Sequence, residues 1–225
     1  MDWRYNTLWL DQMPPDQYSA KDFRQGGAIP SCTSPYLFAD GFKPKSKCVR
    51  DLPADPHMLF LELVQSNIES FDGVSIFSRL KRLEVHYCLK LASDKGLAEL
   101  ADSIEWLHIS QSKKFQPSAD LLRLRKLKVL CLNHCGPIPS LSFLDYFPEL
   151  VDFRFVGTNI IDGDLTPLLR HPHLCNAGFL DKRHYNLKAA YVDEQLKAKF
   201  EAAIVVAHKG PFQTFRYKVL GASTL

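Results

Sequence analysis

The stretch LKVLCLNHCG, residues 127–136, places leucines at positions 127, 130 and 132 and a cysteine at position 135. The same L-x-x-L-x-L-x-x-N/C spacing recurs along the chain, with first apolar positions at 58, 80, 104, 127, 150 and 174. The steps between these positions are 22, 24, 23, 23 and 24 residues. So even a period over six matches indicates a stack of short structural repeats.

Each repeat contains an x-L-x-L-x segment, and alternate residues of such a segment point to opposite faces of a strand. Parallel strands need a crossover between them, and each repeat is long enough to supply one. Short helices are predicted for four crossovers, at residues 94–102, 117–124, 141–148 and 165–170. Because one repeat cannot bury its own apolar face, we expect the repeats to stack into a solenoid.

The pattern resembles the leucine-rich repeat family over residues 58–185. The resemblance implies an α/β horseshoe with a parallel sheet on its concave face and short helices on its convex face. The position that this family usually fills with Asn holds other short polar residues here, which can still hydrogen-bond the turn backbone. They are Ser66, Cys88, Ser112, Cys135 and Thr158. Lys182 occupies this position in the weaker sixth repeat, where we expect the ladder to end.

Both ends of an open solenoid expose core residues, so atypical caps are expected at both ends. Residues 1–57, with their Pro, Gly and aromatic residues, are assigned to an N-terminal cap or arm. Residues 58–185 hold about six repeats, and residues 186–225 form a C-terminal cap helix and tail. Apolar residues at 192, 196, 200, 203 and 204 have helical spacing, and the alternating residues 212–220 predict a terminal strand.

Composition narrows the class of protein. The chain has 225 residues, 46% of them hydrophobic, and a net charge of +3, which is an ordinary globular balance without the like-charge block of a nucleic-acid-binding tail. No apolar run reaches the roughly 18 residues of a membrane helix, and residues 1–10 lack the pattern of a secretion signal. A cytoplasmic location is predicted, and the six cysteines are expected to be free thiols.

The register of the repeats predicts which side chains line the concave face. This face mixes aromatic, histidine and charged residues of both signs, and Trp, Tyr and Arg are favoured anchors in protein interfaces. The sequence therefore predicts a protein-binding surface, with a merely solvated sheet face as the alternative. The predicted partner-binding set is Phe60, Glu62, Arg82, Glu84, His86, Tyr87, Trp106, His108, Cys131, Asn133, His134, Asp152 and Arg154.

Metal binding and catalysis are not predicted. His86, His108 and His134 follow consecutive strands but occupy different columns of the repeat, so we expect them to spread diagonally across the sheet. No H-E-x-x-H or C-x-x-C pair, phosphate-binding glycine loop or dinucleotide motif is present, so no metal, no cofactor and no enzyme activity is predicted. Glu62 and Glu84 share a column on adjacent strands, and two carboxylates that close can raise a pKa. A hydrolase or metal enzyme therefore stays an alternative.

The segment FLDKRHYNLK, residues 179–188, resembles the F-x-x-K-x-H-Y-x-x-K closing motif of leucine-rich repeat immunity proteins from bacterial polymorphic toxin systems. The resemblance implies a cytoplasmic protein that binds a cognate toxin domain and neutralises it by covering its active site. A capping loop, with Asp181 and His184 bonded to backbone groups and Tyr185 closing the core, explains the same residues. The alternative function is a regulatory or scaffold subunit of another protein complex.

Overall fold

The computed structural model describes residues 18–25, 35–53, 57–199, 204–209 and 212–217. Eight parallel strands form one sheet whose spatial order is the order of the chain. Each crossover therefore carries the chain to the next place in the sheet, as the predicted solenoid requires. The strands are β1 (Tyr18–Asp22), β2 (Tyr36–Asp40), β3 (Phe60–Val64), β4 (Arg82–His86), β5 (Trp106–Ser110), β6 (Val129–Asn133), β7 (Asp152–Arg154) and β8 (Asn176–Gly178).

Strands β1 and β2 come from the segment that the sequence analysis assigns to the N-terminal cap. In β2, Leu37 pairs with Leu61 and Ala39 pairs with Leu63, so this strand continues the columns of the later repeats. The repeat pattern does not reveal β2, because Ala39 stands where later strands carry a large side chain. The cap segment thus adds two strands to the sheet, while its residues 1–17, 26–34 and 54–56 lie outside the described ranges.

The core lies on one face of the sheet, under the two leucine positions of each repeat. These side chains are fully or almost fully buried in every central strand, as the period-2 pattern predicts. They are Leu61, Leu63, Leu83, Val85, Leu107, Ile109, Leu130, Leu132, Phe153 and Phe155.

The crossovers contain shorter helices than a typical α-helix. Val74–Phe77, Leu97–Leu100, Leu121–Arg123 and Leu141–Tyr146 are 3-10 helices, and only Thr166–Arg170 (α1) forms an α-helical turn between β7 and β8. Repeats of 22 to 24 residues leave little chain between strands, and a 3-10 turn covers more length per residue than an α-helix does.

Short polar side chains form the predicted ladder at the turns after strands β3 to β7. The Ser66 hydroxyl donates to the Phe42 carbonyl at 2.6 Å, and the Thr158 hydroxyl donates to the Leu132 carbonyl at 2.6 Å. The Cys135 thiol makes the longer contact that sulfur allows, at 3.5 Å from the Ile109 carbonyl. All three side chains are buried, so each satisfies backbone groups that water cannot reach.

A second column lies one residue before the ladder, directly after strands β3 to β6. Gln65, Tyr87, Gln111 and His134 all have positive φ, between 50° and 58°. Their N–H groups bond the neighbouring repeat, for example Tyr87 to the Ser110 carbonyl at 3.0 Å and Gln111 to the Asn133 carbonyl at 3.0 Å. Because non-glycine residues rarely adopt positive φ, the sheet hydrogen bonds must hold this turn in place.

Helix α2 (Ala189–Lys199) closes the last repeat, burying Val192 and Leu196. The helical spacing predicts that this helix reaches Ile204, which is wrong, because Ile204 begins strand β9 (Ile204–Lys209). Strand β9 pairs antiparallel with β10 (Phe212–Tyr217), so the alternating residues near the C-terminus form a strand as expected.

We expect Gly96→Ala to lower the free energy of unfolding by more than about 1 kcal/mol. Gly96 has φ of +99°, and an added Cβ would lie 2.4 Å from the backbone oxygen of Phe71, which cannot move aside without distorting the preceding repeat. Urea denaturation of both proteins measures the loss.

Gln111→Ala is the matched control, because Gln111 already carries a Cβ at positive φ. This change is expected to stay within about 0.5 kcal/mol of the parent. Equal stability of Gly96→Ala and the parent would contradict the assigned backbone.

Candidate functional site

The concave face has three columns of outward side chains, fixed by the register of the strands. The first column runs through Tyr36, Phe60, Arg82, Trp106, Val129 and Asp152. The second runs through Glu62, Glu84, His108, Cys131 and Arg154, and the third through Val64, His86, Ser110 and Asn133. The predicted partner-binding residues thus lie on the face where the repeat pattern places them, with Tyr87 and His134 just beyond the third column.

Exposure differs sharply between these columns. Every residue of the first column from Tyr36 to Asp152 is buried, and so are Glu84 and Cys131 of the second column. The third column is partly exposed, and Tyr87 beyond it is 56% exposed. The face is therefore closed near the strand beginnings and opens toward the strand ends.

A stack of rings and one guanidinium occupies the closed side. The Tyr36 and Phe60 rings are parallel with centroids 4.0 Å apart. The Arg82 guanidinium carbon lies 4.6 Å from the Phe60 ring centroid and 3.9 Å from that of Trp106. Adjacent strands are about 4.8 Å apart, so equivalent positions stack naturally, and a cation between two aromatic faces is favoured when desolvated.

The two arginines of the predicted set are ion-paired within their own strands. Arg82 donates to Glu84, with Nε at 2.8 Å from Oε1, and both side chains are buried. Arg154 donates to Asp152, with a terminal nitrogen at 2.5 Å from Oδ2. Asp152 also accepts from the Asn176 amide at 2.9 Å. These charges serve internal pairs, so Arg82, Glu84 and Asp152 are structural rather than partner-contacting groups.

Glu62, Glu84, His86 and His108 form one cluster across β3, β4 and β5. The His86 Nε2 atom lies 2.8 Å from Glu84 Oε2 and 3.8 Å from Glu62 Oε1. The His108 Nδ1 atom lies 3.8 Å from the same Glu84 oxygen, and the two imidazole centroids are 4.8 Å apart. The two histidines occupy different columns, as expected, but this diagonal brings their rings together, because His108 is in register with Glu84, two residues from His86.

Burial and the neighbouring charges shift the pKa values of these four groups. Burial, followed by repulsion from Glu84, raises the pKa of Glu62. Burial alone would also raise the pKa of Glu84, but the Arg82 charge and the His86 hydrogen bond lower it. Burial lowers the pKa of His108 to about 4, so its imidazole is neutral at pH 7. Burial opposes protonation of His86 as well, but the Glu84 hydrogen bond and both carboxylate charges raise its pKa.

The accessible remainder of the predicted set lies at the strand ends. Tyr87 is 56% exposed, and Leu89, two residues further, is 62% exposed. His134 is partly exposed and packs over Gly157, which has no side chain to displace it. Sequence reasoning did not single out Leu89, although it follows the ladder position of a repeat and had no core position to fill. Partner binding by this group stays a prediction.

Residues 179–188 act as the closing cap of the solenoid. Phe179 stacks on Phe155 with ring centroids 5.0 Å apart. The Tyr185 hydroxyl accepts from the Ile160 N–H at 3.1 Å, and His184 Nε2 lies 2.9 Å from the Ile160 carbonyl. Asp181 accepts from the Ala189 N–H at 2.8 Å, at the start of α2. The capping interpretation of this segment is confirmed, and folding alone accounts for its residues.

The two cysteines of the 127–136 stretch lie on opposite faces of β6, as the register predicts. Cys135 lies in the main core, while Cys131 packs with Trp106 and Val129 in a small separate cluster under the concave face. Burial raises the pKa of the Cys131 thiol well above its usual range and that of Cys135 to about 12. Neither cysteine is therefore a reactive thiol or an exposed contact.

We expect iodoacetamide to alkylate Cys175 well before Cys88, Cys131 and Cys135 in the folded protein at pH 8. Cys175 is the partly exposed one of these four, and thiolate formation and access control alkylation. Mass spectrometry of tryptic peptides over time measures the order. Equal labelling of Cys131 and Cys175 in the native state, with all four labelled in urea as the control, would contradict the buried cluster.

Comparisons with known proteins bear on the fold. No protein-family profile matches the chain, and no curated protein is similar to it. Among solved structures it is similar to an internalin from Listeria monocytogenes, with a TM-score of 0.50 and 16% identity over 68% of this chain. The similar region spans 45% of that internalin. Within the described ranges, no helix is both long and apolar enough to cross a membrane. With the internalin likeness, the eight-stranded sheet identifies the fold as a leucine-rich repeat solenoid.

Proposed function

We propose that the protein is a non-enzymatic protein-binding module, and specifically an immunity protein that binds a cognate bacterial toxin domain and occludes its active site. The observation that carries the binding role is the exposed pair Tyr87 and Leu89 beside the open end of the concave face. Two large side chains exposed within three residues of one turn are typical of an interaction site.

The backbone presents this pair without conformational freedom. Tyr87 is fixed at positive φ by its N–H bond to the Ser110 carbonyl, and Cys88 beside it is buried in the core. A side chain whose backbone is already ordered loses less entropy on binding. Tyrosine adds a large apolar ring with a hydroxyl that can hydrogen-bond at a wet boundary.

Polar groups border the pair on its concave side. Glu62, His86 and His108 have side chains 16%, 18% and 22% exposed, so a partner seated on Tyr87 also meets a carboxylate and two imidazoles. Such a polar border around an aromatic anchor selects partners by charge as well as by shape. The immunity assignment itself rests on the resemblance of residues 179–188 to the closing motif of immunity proteins. The cap role of these residues neither requires nor opposes that assignment.

The test of immunity is co-expression with a toxin, if the neighbouring gene encodes one. Cells carrying the toxin and this protein are expected to survive, and the two proteins should co-purify in a fixed ratio. Death of cells that contain folded protein would show that the immunity assignment is wrong. A stable complex with a non-toxic neighbour would instead indicate a regulatory or scaffold subunit.

Tyr87→Ala is expected to weaken binding to that partner by about tenfold or more, because an anchor residue typically contributes over 1 kcal/mol. Titration calorimetry measures the change. Tyr146→Ala is the matched control, since Tyr146 is 48% exposed but lies on the 3-10 helix Leu141–Tyr146, away from the concave face. Equal losses for both variants, or none for Tyr87→Ala, would exclude this surface.

A further inference from the structure

The cluster at the open side of the concave face has the donor atoms of a metal site. Glu84, His86 and His108 each offer one atom, and these three atoms lie within 4.8 Å of one another. A tetrahedral ion with ligand bonds of about 2.0 Å separates its ligand atoms by roughly 3.3 Å. The Glu84 oxygen lies 2.8 Å from His86 Nε2 and 3.8 Å from His108 Nδ1, so both separations are within about 0.5 Å of that value. The donor atoms of the two histidines lie within 4.8 Å of each other, so they would approach by up to about 1.5 Å.

The far atoms of this cluster are already held by outer partners. Arg82 occupies Glu84 Oε1, which leaves Oε2 toward the histidines. The Tyr36 hydroxyl donates to Glu62 Oε2 at 2.6 Å, which leaves Glu62 Oε1 toward His86. Outer partners of this kind orient the ligands of natural metal sites. The remaining oxygens of Glu62 and Glu84 therefore face the imidazoles of the cluster.

Access and charge also suit a cation. The imidazoles are partly exposed, so an ion can reach them from the open side of the face. Two carboxylates face the cluster, and Arg82 balances one of them. The remaining negative charge, beside two nitrogen donors in a partly dry site, favours a divalent ion.

We propose that Glu84, His86 and His108 bind one divalent transition-metal ion of the Zn²⁺ type, with Glu62 beside the fourth coordination position. Two imidazoles with a carboxylate are a common zinc donor set, whereas Ca²⁺ and Mg²⁺ prefer shells made of oxygen. The ion would join β4 and β5, next to Glu62 of β3, at the edge of the surface that carries Tyr87. The proposal does not depend on a toxin or any other partner.

The hydrogen bonds of Asn133 indicate which nitrogen of His108 carries the proton. Its Oδ1 atom accepts from the Val156 N–H at 2.9 Å, so its amino group faces His108 Nε2 at 3.2 Å. His108 Nε2 therefore accepts in this arrangement, and its proton is on Nδ1. An ion on Nδ1 moves that proton to Nε2, where it meets the Asn133 amino group. The carboxylate of Asn133→Asp accepts from both the Val156 and His108 N–H groups, which completes a carboxylate–histidine–metal arrangement.

The test uses the full-length protein after treatment with a chelator, titrated with Zn²⁺ in a calorimeter and with Co²⁺ by visible absorption. We expect one ion per chain and a tetrahedral Co²⁺ spectrum. His86→Gln and His108→Gln are expected to weaken Zn²⁺ binding by about tenfold or more, and Asn133→Asp to strengthen it. His173→Gln, in an exposed segment distant in sequence, should bind as the parent does.

Circular dichroism of each variant separates lost binding from lost folding. Absence of stoichiometric Zn²⁺ binding to the parent would overturn the proposal. Retention of the parent's affinity in both His86→Gln and His108→Gln would overturn it too, as would loss confined to His173→Gln. None of these results bears on the Tyr87 surface, whose own test is partner binding.

Discussion

A buried arginine organises the concave face of this solenoid. Arg82 is wholly inaccessible, lies between the Phe60 and Trp106 rings, and is paired with Glu84. Removing a guanidinium from water costs several kcal/mol, so the position is stable only with these contacts in place. Aromatic faces on the two neighbouring strands and a carboxylate two residues along its own strand supply them. The closed side of the face follows from this requirement.

The open side follows from the same arrangement. Glu84 uses one oxygen for Arg82 and turns the other toward His86 and His108, so the polar cluster begins where the stack ends. Beyond it, the left-handed turn column fixes Tyr87 by a sheet hydrogen bond. A structural ion pair, a polar cluster and an exposed aromatic anchor thus succeed one another along β4. This gradient leaves the strand ends as the accessible part of the face.

The solenoid was predictable because the regular spacing of leucines indicates which positions are buried. Leu107 and Ile109, for example, are both fully buried in the core. The polar ladder was predictable for a similar reason, since the turn needs a short side chain that bonds the backbone. Strand β2 was not, because Ala39 weakens the pattern that the other strands share. The 3-10 crossovers depend on how much chain remains between strands, which apolar spacing does not report.

The candidate site was predictable only in part. Alternation along the strands placed the predicted side chains on the correct face, but alternation does not tell a buried face from an open one. The sequence predicts Trp106 as an interface anchor and Arg82 as part of the binding face, whereas both side chains are buried in a stack across strands. The His86 and His108 pairing depends on the strand register, which the repeat alignment contains: Glu84 and His108 occupy equivalent positions in successive repeats. Comparing each column with the column two residues further along the strands would predict this pairing.

A double-mutant cycle on Arg82 and Glu84 tests the organising role of this pair most directly. Urea denaturation of the parent, Arg82→Met, Glu84→Gln and the double variant gives their coupling free energy. Each single change removes the ion-pair partner of a buried charge, so we expect a coupling of about 1–3 kcal/mol and a double variant more stable than the sum of the single losses predicts. Losses that add within about 0.5 kcal/mol would contradict a buried ion pair at the centre of the concave face.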